Sequence, residues 1–258
     1  MEGTHSVERR NSHGIQRFPE PVGITDSAKL ILTVKFHIVS AHFGGITPWK
    51  NQLESKYDFT YNYYTDDNTH SRMLAMHPRL KAKVPKMLEW QLHDADWYIW
   101  LDSSCRIKPG ADIPKTILST SKGNPLCLFR HPQGQNIREE ANCVRRRLAA
   151  SDDYFKRRYA GEPIVDQLVH YYGDPEFNDH QLFQMSFFAY HRSAANLMLS
   201  WFVENCRWSI EDQISFPYVL QKFKLNFSLL NGTVIENDLF EWDWGSRENS
   251  LNTTTPES

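Results

Sequence analysis

The sequence has few cysteines and no long apolar run, and each absence excludes a class of protein. Its 258 residues include four cysteines, none of them in a C-x-x-C pair. This argues against a cysteine-built zinc site and against a dense disulfide framework. No stretch approaches the roughly 18 apolar residues that a membrane-spanning helix needs, and residues 1–26 lack the apolar core of a secretory signal. We therefore expect a cytoplasmic protein without a transmembrane segment.

An excess of positive charge is also absent. The formal net charge is −2, whereas proteins that wrap nucleic acid usually carry a strongly basic face. Acidic residues are interspersed with the basic ones around Arg145 to Arg158, so we interpret this stretch as the solvated side of one or two helices. The H-E-x-x-H, G-x-S-x-G and phosphate-loop signatures are missing as well. The sequence thus disfavours nucleic acid as a main partner and the common hydrolase classes.

The composition that is present indicates a single globular domain. Hydrophobic residues make up 40% of the chain and charged residues 23%, which is an ordinary globular mixture. The length suits one large domain better than two small ones. We predict a domain over residues 27–244, a mobile leader over 1–26 and a disordered tail over 245–258, because both ends are polar.

Strand-like and helix-like segments alternate along this domain. Residues 97–101 (WYIWL) are consecutive apolar, β-favouring residues, which is typical of a strand buried on both faces. The other predicted strands are 35–40, 59–65, 126–130 and 185–190, and the predicted helices are 85–93, 141–159 and 194–206. This alternation predicts an α/β fold with a mostly parallel central sheet.

Ligands of such sheets bind outside the carboxyl ends of the strands. The candidate binding residues at predicted strand ends are Ser40, Asp66, Asp102, His131 and His191. Asp102 follows the apolar strand directly, and a carboxylate there is costly to bury unless it is paired or binds a cation. It either holds a divalent metal or starts a turn by accepting backbone hydrogen bonds. The two histidines fit ordinary hydrogen-bonding roles as well as ligand contacts.

Two lysines flank the proline that begins the predicted helix 85–93. A helix N-terminus offers free N–H groups and partial positive charge, so Lys83 and Lys86 would complete an anion site there. The alternative is that both lysines are solvated surface residues.

A second acidic candidate site lies later in the chain, at Glu211 and Asp212. A carboxylate here is suited to remove a proton from an acceptor hydroxyl. The alternative is a capping box, with Ser209 as N-cap and Asp212 three residues later. Pro217 predicts that the helix that follows is short or kinked.

Several of these segments together resemble a known family. Residues 83–88 (KVPKML) and 98–103 (YIWLDS) are similar to its K-x-P-K-M-L and IWLD blocks. Residues 130–131 (RH) and 139–141 (EEA) continue the match, and 201–202 (WF) with 211–216 (EDQISF) are similar to its W(F/W) and RDQ(L/I)SF segments. The family is a glycosyltransferase-like one, long catalogued as a domain of unknown function, that includes plant mucilage-related and turgor-regulation proteins. The resemblance covers roughly residues 35–224, and its blocks are specific as a set.

The resemblance implies a GT-A-like glycosyltransferase with one Rossmann-type domain. Its donor would be a nucleotide-diphosphate sugar, such as a UDP-sugar, with Mn²⁺ or Mg²⁺ held by a D-x-D-like motif. Asp102 matches the first acid of that motif, but Ser104 stands in place of the second. Because a hydroxyl is a weaker ligand for a hard cation, Lys83, Lys86 or Arg106 would neutralise part of the diphosphate instead.

The resemblance also implies roles for the remaining candidates. Residues 64–66 are similar to a strand end that contacts the base or ribose, which assigns Asp66 to the donor. Ser40, His131 and His191 are assigned to the donor from their places at predicted strand ends. Asp212 would be the base of an inverting transfer to a glycan or another hydroxyl acceptor. Glu211, beside it, replaces the family's usual arginine.

Two other functions fit part of the sequence. A carbohydrate-binding protein that kept this fold without turnover would explain Ser104 in the metal motif. A glycoside hydrolase would require two opposed carboxylates and no nucleotide.

Overall fold

Six strands form one central sheet in the computed structural model, which describes residues 34–44, 50–69, 73 and 76–242. The predicted leader (1–26) and tail (245–258) lie outside these described residues. The strand order is β2-β1-β3-β6-β5-β7. The strands are β1 (Phe36–Ala41), β2 (Phe59–Tyr64), β3 (Trp97–Leu101), β5 (Leu126–Arg130), β6 (Phe183–His191) and β7 (Ser228–Leu229).

Five of the six strands run in one direction, and β6 runs in the other. β1 pairs parallel with β2 and with β3, and β5 pairs parallel with β7. β6 pairs antiparallel with β3 and β5 on either side. The predicted α/β class with a mostly parallel sheet is therefore confirmed. The direction of β6 decides which of its ends lies at the ligand edge.

Seven α-helices occur within the described part of the chain. They are α1 (Pro78–Leu88), α2 (Ile113–Ser121), α3 (Ile137–Ala149), α4 (Asp153–Tyr159), α5 (Ile164–Tyr172), α6 (Ala195–Arg207) and α7 (Asp212–Phe223). Short 3₁₀ turns at Glu89–Gln91 and Arg192–Ala194 extend α1 and precede α6. None of the described helices is long and apolar enough to cross a membrane.

The prediction of a helix that starts at Pro85 is wrong. The helix begins a full two turns earlier, at Pro78, where the ring of His77 accepts a hydrogen bond from the Arg79 N–H. Proline suits this first position because its missing N–H has no intrahelical partner there. Pro85 lies inside the helix, so the helix N-terminus is not beside Lys83 and Lys86.

The predicted helix over 141–159 is two helices. The break falls at Ser151, whose φ of 62° is left-handed, a conformation unfavourable for residues with a side chain. Asp152 then caps α4 by accepting a hydrogen bond from the Phe155 N–H, as N-cap aspartates commonly do.

Hydrophobic cores cover both faces of the sheet. On one face, Val39, Trp100 and Phe188 pack with residues of α1, α6 and α7. On the other, Ile99 and Phe129 pack with α2 and with the chain near Phe240. Strand residues alternate between these faces, and burial on both faces explains why 97–101 is apolar throughout.

A small second sheet lies beside the end of β3. It pairs β4 (Cys105–Ile107) antiparallel with β8 (Phe240–Trp242). This pairing brings the C-terminal part of the described chain next to the turn that follows Leu101.

Candidate active site

Polar residues from four chain segments meet near the carboxyl ends of the parallel strands. His42 follows β1, Asp66 follows β2, Asp102 follows β3 and His131 follows β5. Because these strands are parallel, their ends lie along one edge of the sheet. The structure thus brings together three of the five strand-end candidates, Asp66, Asp102 and His131, at one edge.

The other two strand-end candidates, Ser40 and His191, do not present an accessible side chain at this edge. Ser40 is fully buried within β1, because the strand continues to Ala41. His191 ends the antiparallel strand β6 and pairs with Trp97, the first residue of β3. It lies at the opposite edge, where its Nδ1 contacts the Ser193 hydroxyl at 2.9 Å. Sequence pattern alone did not reveal the reversed direction of β6.

His42 is the edge residue that the sequence analysis missed. Its backbone N–H donates to the Tyr64 carbonyl at 2.9 Å, and its Nδ1 contacts the Ser103 hydroxyl at 3.1 Å. Its Nε2 is buried and has no hydrogen-bond partner among the described residues. Burial lowers the pKa of His42, against the opposing charges of Asp102 and Asp66. At neutral pH the imidazole is therefore neutral and able to ligate. The signal in the sequence was its position directly after an apolar strand.

Asp66 is held by two donors. Its carboxylate accepts hydrogen bonds from the Gly44 N–H at 2.8 Å and from Lys81 Nζ at 2.5 Å. The Gly44 bond first, and then Lys81, lower the pKa of Asp66. This fixed, ionised carboxylate faces solvent in part, with 42% of its side chain exposed, and is accessible to a ligand.

Asp102 begins a turn, as one of its two predicted roles requires. Its N–H donates to the Ser186 carbonyl and its own carbonyl accepts from the Cys105 N–H, both at 2.8 Å. Ser104 has a different environment, because its hydroxyl accepts a hydrogen bond from the Trp242 indole at 2.9 Å. Ser104 is 3% exposed and fixes the small sheet to the turn.

A second polar group forms where α1 faces α7. Lys83 and Lys86 each donate to the same oxygen of Asp212, Oδ2, at 2.5 Å. All three side chains are buried, with exposures of 7% or less. Two residues predicted for the donor and one predicted as base therefore form one ion cluster. Asp212 is 126 or more positions away from the two lysines in the sequence, so no local pattern could predict these contacts.

The charges of this ion cluster determine its protonation. Burial raises the pKa of Asp212, but the charges and hydrogen bonds of Lys83 and Lys86 outweigh it and hold the pKa far below its usual range. Burial lowers the pKa of Lys83 to about 8, although Asp212 opposes that shift. Asp212 is thus ionised at every physiological pH, whereas Lys83 loses its proton in the mildly alkaline range.

Lys86 is also enclosed by aromatic rings. Its ammonium lies 5.5 Å from the Trp100 ring centroid, 5.8 Å from that of Phe188 and 5.7 Å from that of Trp201. Ring faces carry partial negative charge and attract such a cation. Trp100 precedes Asp102 by two residues, which places the ion cluster close to the strand edge on the α1 side of the sheet.

Glu140 is a further acid of this region, from α3. Its Oε1 accepts a hydrogen bond from the Gln213 amide at 3.3 Å, and its Oε2 lies 3.9 Å from His131 Nε2. Burial, and then the charges of Glu211 and Asp212, raise its pKa to about 8. Glu140 is therefore mostly protonated at neutral pH. In the sequence, Glu140 is marked only by its place in the block 139–141 (EEA).

Glu211 has a structural role that had been predicted for Ser209. Its side chain accepts a hydrogen bond from the Gln213 N–H and so caps α7, and the Tyr159 hydroxyl donates to its Oε2. Ser209 instead donates to the Gln167 side chain at 2.6 Å. Pro217 does not shorten α7, which runs for 12 residues.

Arg158 also departs from expectation. It belongs to the stretch predicted to be solvated, but it is half-buried, and its guanidinium lies 5.6 Å from the Tyr154 ring centroid and 5.3 Å from that of Tyr159. Its positive charge opposes the rise in the pKa of Glu140.

His131 combines a turn role with its place at the edge. Its Nδ1 accepts hydrogen bonds from the N–H groups of Gly134, at 2.6 Å, and Gln133, at 3.3 Å. Burial lowers its pKa, against the charges of Glu211 and Glu139. Its other ring nitrogen faces Glu140.

The chain was compared with protein families, curated proteins and solved structures. A family model described as the TOD1/MUCI70, glycosyltransferase-like domain matches residues 69–240, about two thirds of the chain. No curated protein matches. A solved structure described as "crystal structure of a glycosyltransferase involved in the glycosylation of the major capsid of PBCV-1" is similar at 12% identity and a TM-score of 0.40. That match covers 75% of this chain and 80% of the other.

Proposed function

We propose a specific reaction for this protein, which belongs to the TOD1/MUCI70 glycosyltransferase-like family. It transfers a sugar from a nucleotide-diphosphate sugar, a UDP-sugar, to a hydroxyl group of a glycan acceptor. A general glycosyltransferase role follows from the family. The donor, the acceptor and the residue roles are our proposal.

The ion cluster of Lys83, Lys86 and Asp212 is the observation that carries the proposal. Moving three charged groups out of water costs several kcal/mol per ion, and the attraction between buried charges seldom offsets that cost. Such groups concentrate where chemistry needs fixed charges. An inverting transfer needs a fixed carboxylate for the acceptor hydroxyl, and the two lysines hold Asp212 in its ionised form; the leaving diphosphate would be neutralised by the metal at the Asp102 edge.

The divalent metal implied by the family fits the edge residues. A Mn²⁺ or Mg²⁺ ion is commonly held by one or two carboxylates plus substrate phosphates and water. Asp102 would supply a carboxylate, and His42 would supply its buried Nε2, which has no hydrogen-bond partner in the described part of the chain. The Ser104 hydroxyl accepts a hydrogen bond from Trp242, so one of its two lone pairs is already engaged. When bound, the metal would neutralise charge on the diphosphate, and Asp66 at the neighbouring strand end would contact the nucleoside.

An inverting transfer assigns the acceptor proton to Asp212. The acceptor oxygen attacks the anomeric carbon from the face opposite the diphosphate, a C–O bond forms, and the bond to the phosphate oxygen breaks. The proton passes to a carboxylate, and the electron pair leaves with the nucleoside diphosphate. Asp212 is ionised and close to two cations, which suits it to orient the hydroxyl.

Glu140 is the alternative base, because its pKa is much closer to the working pH. The two assignments differ in the pH dependence of turnover. With Asp212 as base, turnover should stay level up to about pH 8 and then fall as Lys83 loses its proton. With Glu140 as base, turnover should instead rise on approach to pH 8 as that carboxyl ionises. A pH–rate profile of the protein and of Glu140→Gln distinguishes them, since the rising limb would vanish in that variant.

The proposal as a whole is tested by product formation. The purified protein is incubated with a panel of nucleotide sugars, with Mn²⁺ and with EDTA, and nucleoside diphosphate is measured. We expect metal-stimulated release from one donor, abolished in Asp102→Ala and retained in His191→Ala. Cleavage of a glycan without any nucleotide would identify a glycoside hydrolase instead.

A carbohydrate-binding protein without turnover is the second candidate. The bond between Ser104 and Trp242 favours it, because the residue in place of the second acid serves packing. Sugar binding without nucleotide release from any donor, with or without metal, would establish this alternative.

A further inference from the structure

A cluster of metal-ligating side chains lies outside the proposed active site. It consists of His37 on β1 and of Glu89 and His93, at and after the end of α1. His37 Nε2 is 2.9 Å and His93 Nε2 is 3.2 Å from the same oxygen, Glu89 Oε1. The two imidazole rings stack with centroids 4.1 Å apart. One potential ligand atom from each residue lies within 4.8 Å of the others.

We propose that His37, Glu89 and His93 bind a zinc ion, or another transition metal of similar preference, that fixes the end of α1 to β1. The site is separate from the Asp102 edge. Its function would be structural, and it does not depend on the proposed transferase activity.

The carboxylate of Glu89 provides the first support. The side chain is 1% exposed, and its Oε2 is buried without a hydrogen-bond partner among the described residues. A buried carboxyl oxygen without a hydrogen-bond partner is costly. A cation placed between the carboxylate and the two imidazoles would satisfy it.

The residues around the cluster provide the second support. His37 Nδ1 contacts the Thr60 hydroxyl at 2.6 Å, which leaves Nε2 directed at Glu89. Metal-bound histidines typically engage their other nitrogen in this way, because the second contact fixes ring orientation. The Tyr64 hydroxyl donates to Glu89 Oε1 at 2.8 Å, and the Asn62 amide contacts His93 Nε2 at 2.9 Å. Second-shell partners for His37 and Glu89 thus come from one strand, β2, whereas the contact of Asn62 with His93 Nε2 would be replaced by the metal.

The chemistry of the ligands selects the metal class. Two imidazole nitrogens and one carboxylate suit zinc and its neighbours, whereas Mg²⁺ and Ca²⁺ prefer oxygen ligands. The fourth position would be taken by water or by a nearby side-chain oxygen.

The position of the cluster argues against a role in catalysis. His37 lies four residues before the end of β1, or roughly 13 Å along the strand. His37 is fully buried, and His93, at 36% exposure, is the more accessible ligand. A metal here would enter past His93 and contact no substrate at the strand edge.

The test is zinc binding by the full chain after chelator treatment. In calorimetry we expect one equivalent of zinc that Asp102→Asn retains, apart from any zinc bound at the Asp102 edge. We also expect a visible d–d absorption with Co²⁺ and a higher unfolding temperature with zinc, because a ligand of the folded state stabilises it. His93→Ala should weaken the affinity by at least about tenfold, since loss of even an outer partner costs 10- to 100-fold. His93 is chosen because its partial exposure lets the variant fold. His170→Ala, at another partly buried histidine, should bind zinc normally.

Three results would overturn the proposal. Absence of stoichiometric zinc binding by the unaltered chain would show that the three residues form only a hydrogen-bonded network. Equal affinity in His93→Ala, or loss of binding in Asp102→Asn, would place the metal elsewhere. If the chain bound zinc as expected but transferred no sugar, the zinc site would be supported and only the proposed transferase function would be wrong.

Discussion

Asp212 is the residue on which structure and chemistry depend most directly. Replacement by Asn removes the counter-charge of two buried ammonium groups, and breaking a buried pair in this way costs about 3–5 kcal/mol. If Asp212 is also the acceptor base, turnover should fall by roughly a hundred- to ten-thousand-fold. The measurements are thermal unfolding and initial rates with saturating donor.

A double variant separates these two effects. Asp212→Asn combined with Lys86→Met removes one of the unpaired charges and should recover part of the stability. Turnover should stay low in the double variant. If stability and turnover both recovered in the double variant, Asp212 would affect turnover only through its effect on folding.

Glu140 predicts a pH dependence of stability that needs no substrate. Its pKa in the folded protein is raised from 4.5 to about 8, so the folded state holds a proton that the unfolded state releases. The contribution to stability is fully present below about pH 4.5 and is lost as pH rises through about 8. Glu140→Gln keeps the hydrogen-bond acceptor for Gln213 and should flatten this part of the profile. Urea unfolding between pH 5 and 8 measures the free energy of unfolding at each pH. If that free energy fell with pH as steeply in Glu140→Gln as in the unaltered protein, the raised pKa of Glu140 would be contradicted.

Helix ends supply a prediction at the scale of single elements. Lys224 ends α7 in a left-handed conformation, with φ of 51°, which costs a non-glycine residue about 1–2 kcal/mol. Lys224→Gly should therefore stabilise the protein by roughly 1 kcal/mol, or about 2–4 °C in unfolding temperature at this size. Lys115→Gly, at an exposed helical position in α2, is the matched control and should lower the temperature, because glycine is unfavourable inside helices. The same sign for both variants would contradict the assignment of the helix end.

At the scale of the whole molecule, sheet topology predicts which histidine serves the donor. His42 and His191 both adjoin apolar strands, but β6 is antiparallel and places His191 at the far edge. His42→Ala should weaken binding of UDP with Mn²⁺ by about tenfold or more, whereas His191→Ala should bind normally. Calorimetry with both variants measures this. Weaker binding in His191→Ala, with His42→Ala unaffected, would move the donor to the opposite edge.

The sequence alone was sufficient for the elements that depend on local pattern. Strand 97–101 was predicted with its true bounds, because a run of apolar β-favouring residues is a local signal of burial on both faces. Strand 126–130 matched as well, and the α/β class followed from the alternation of strands and helices. The family blocks at 83–88 and 211–216 marked the segments that form the ion cluster, although not their contact.

Tertiary structure decided what distant residues do to one another. Lys83, Lys86 and Asp212 meet only because α1 and α7 pack on the same face of the sheet, and their pKa shifts come from that contact and its burial. The direction of β6, the burial of His42 Nε2 and the cap formed by Glu211 depend on the path of the chain and not on local spacing. The start of α1 at Pro78 was not predicted, because a proline such as Pro85 is typical of the first position of a helix. Pro85 instead lies inside the helix, among buried residues. The periodicity of a sequence indicates which residues of one helix or strand are buried. The candidate active site instead depends on charged residues that are far apart in the sequence and that only the fold brings into contact.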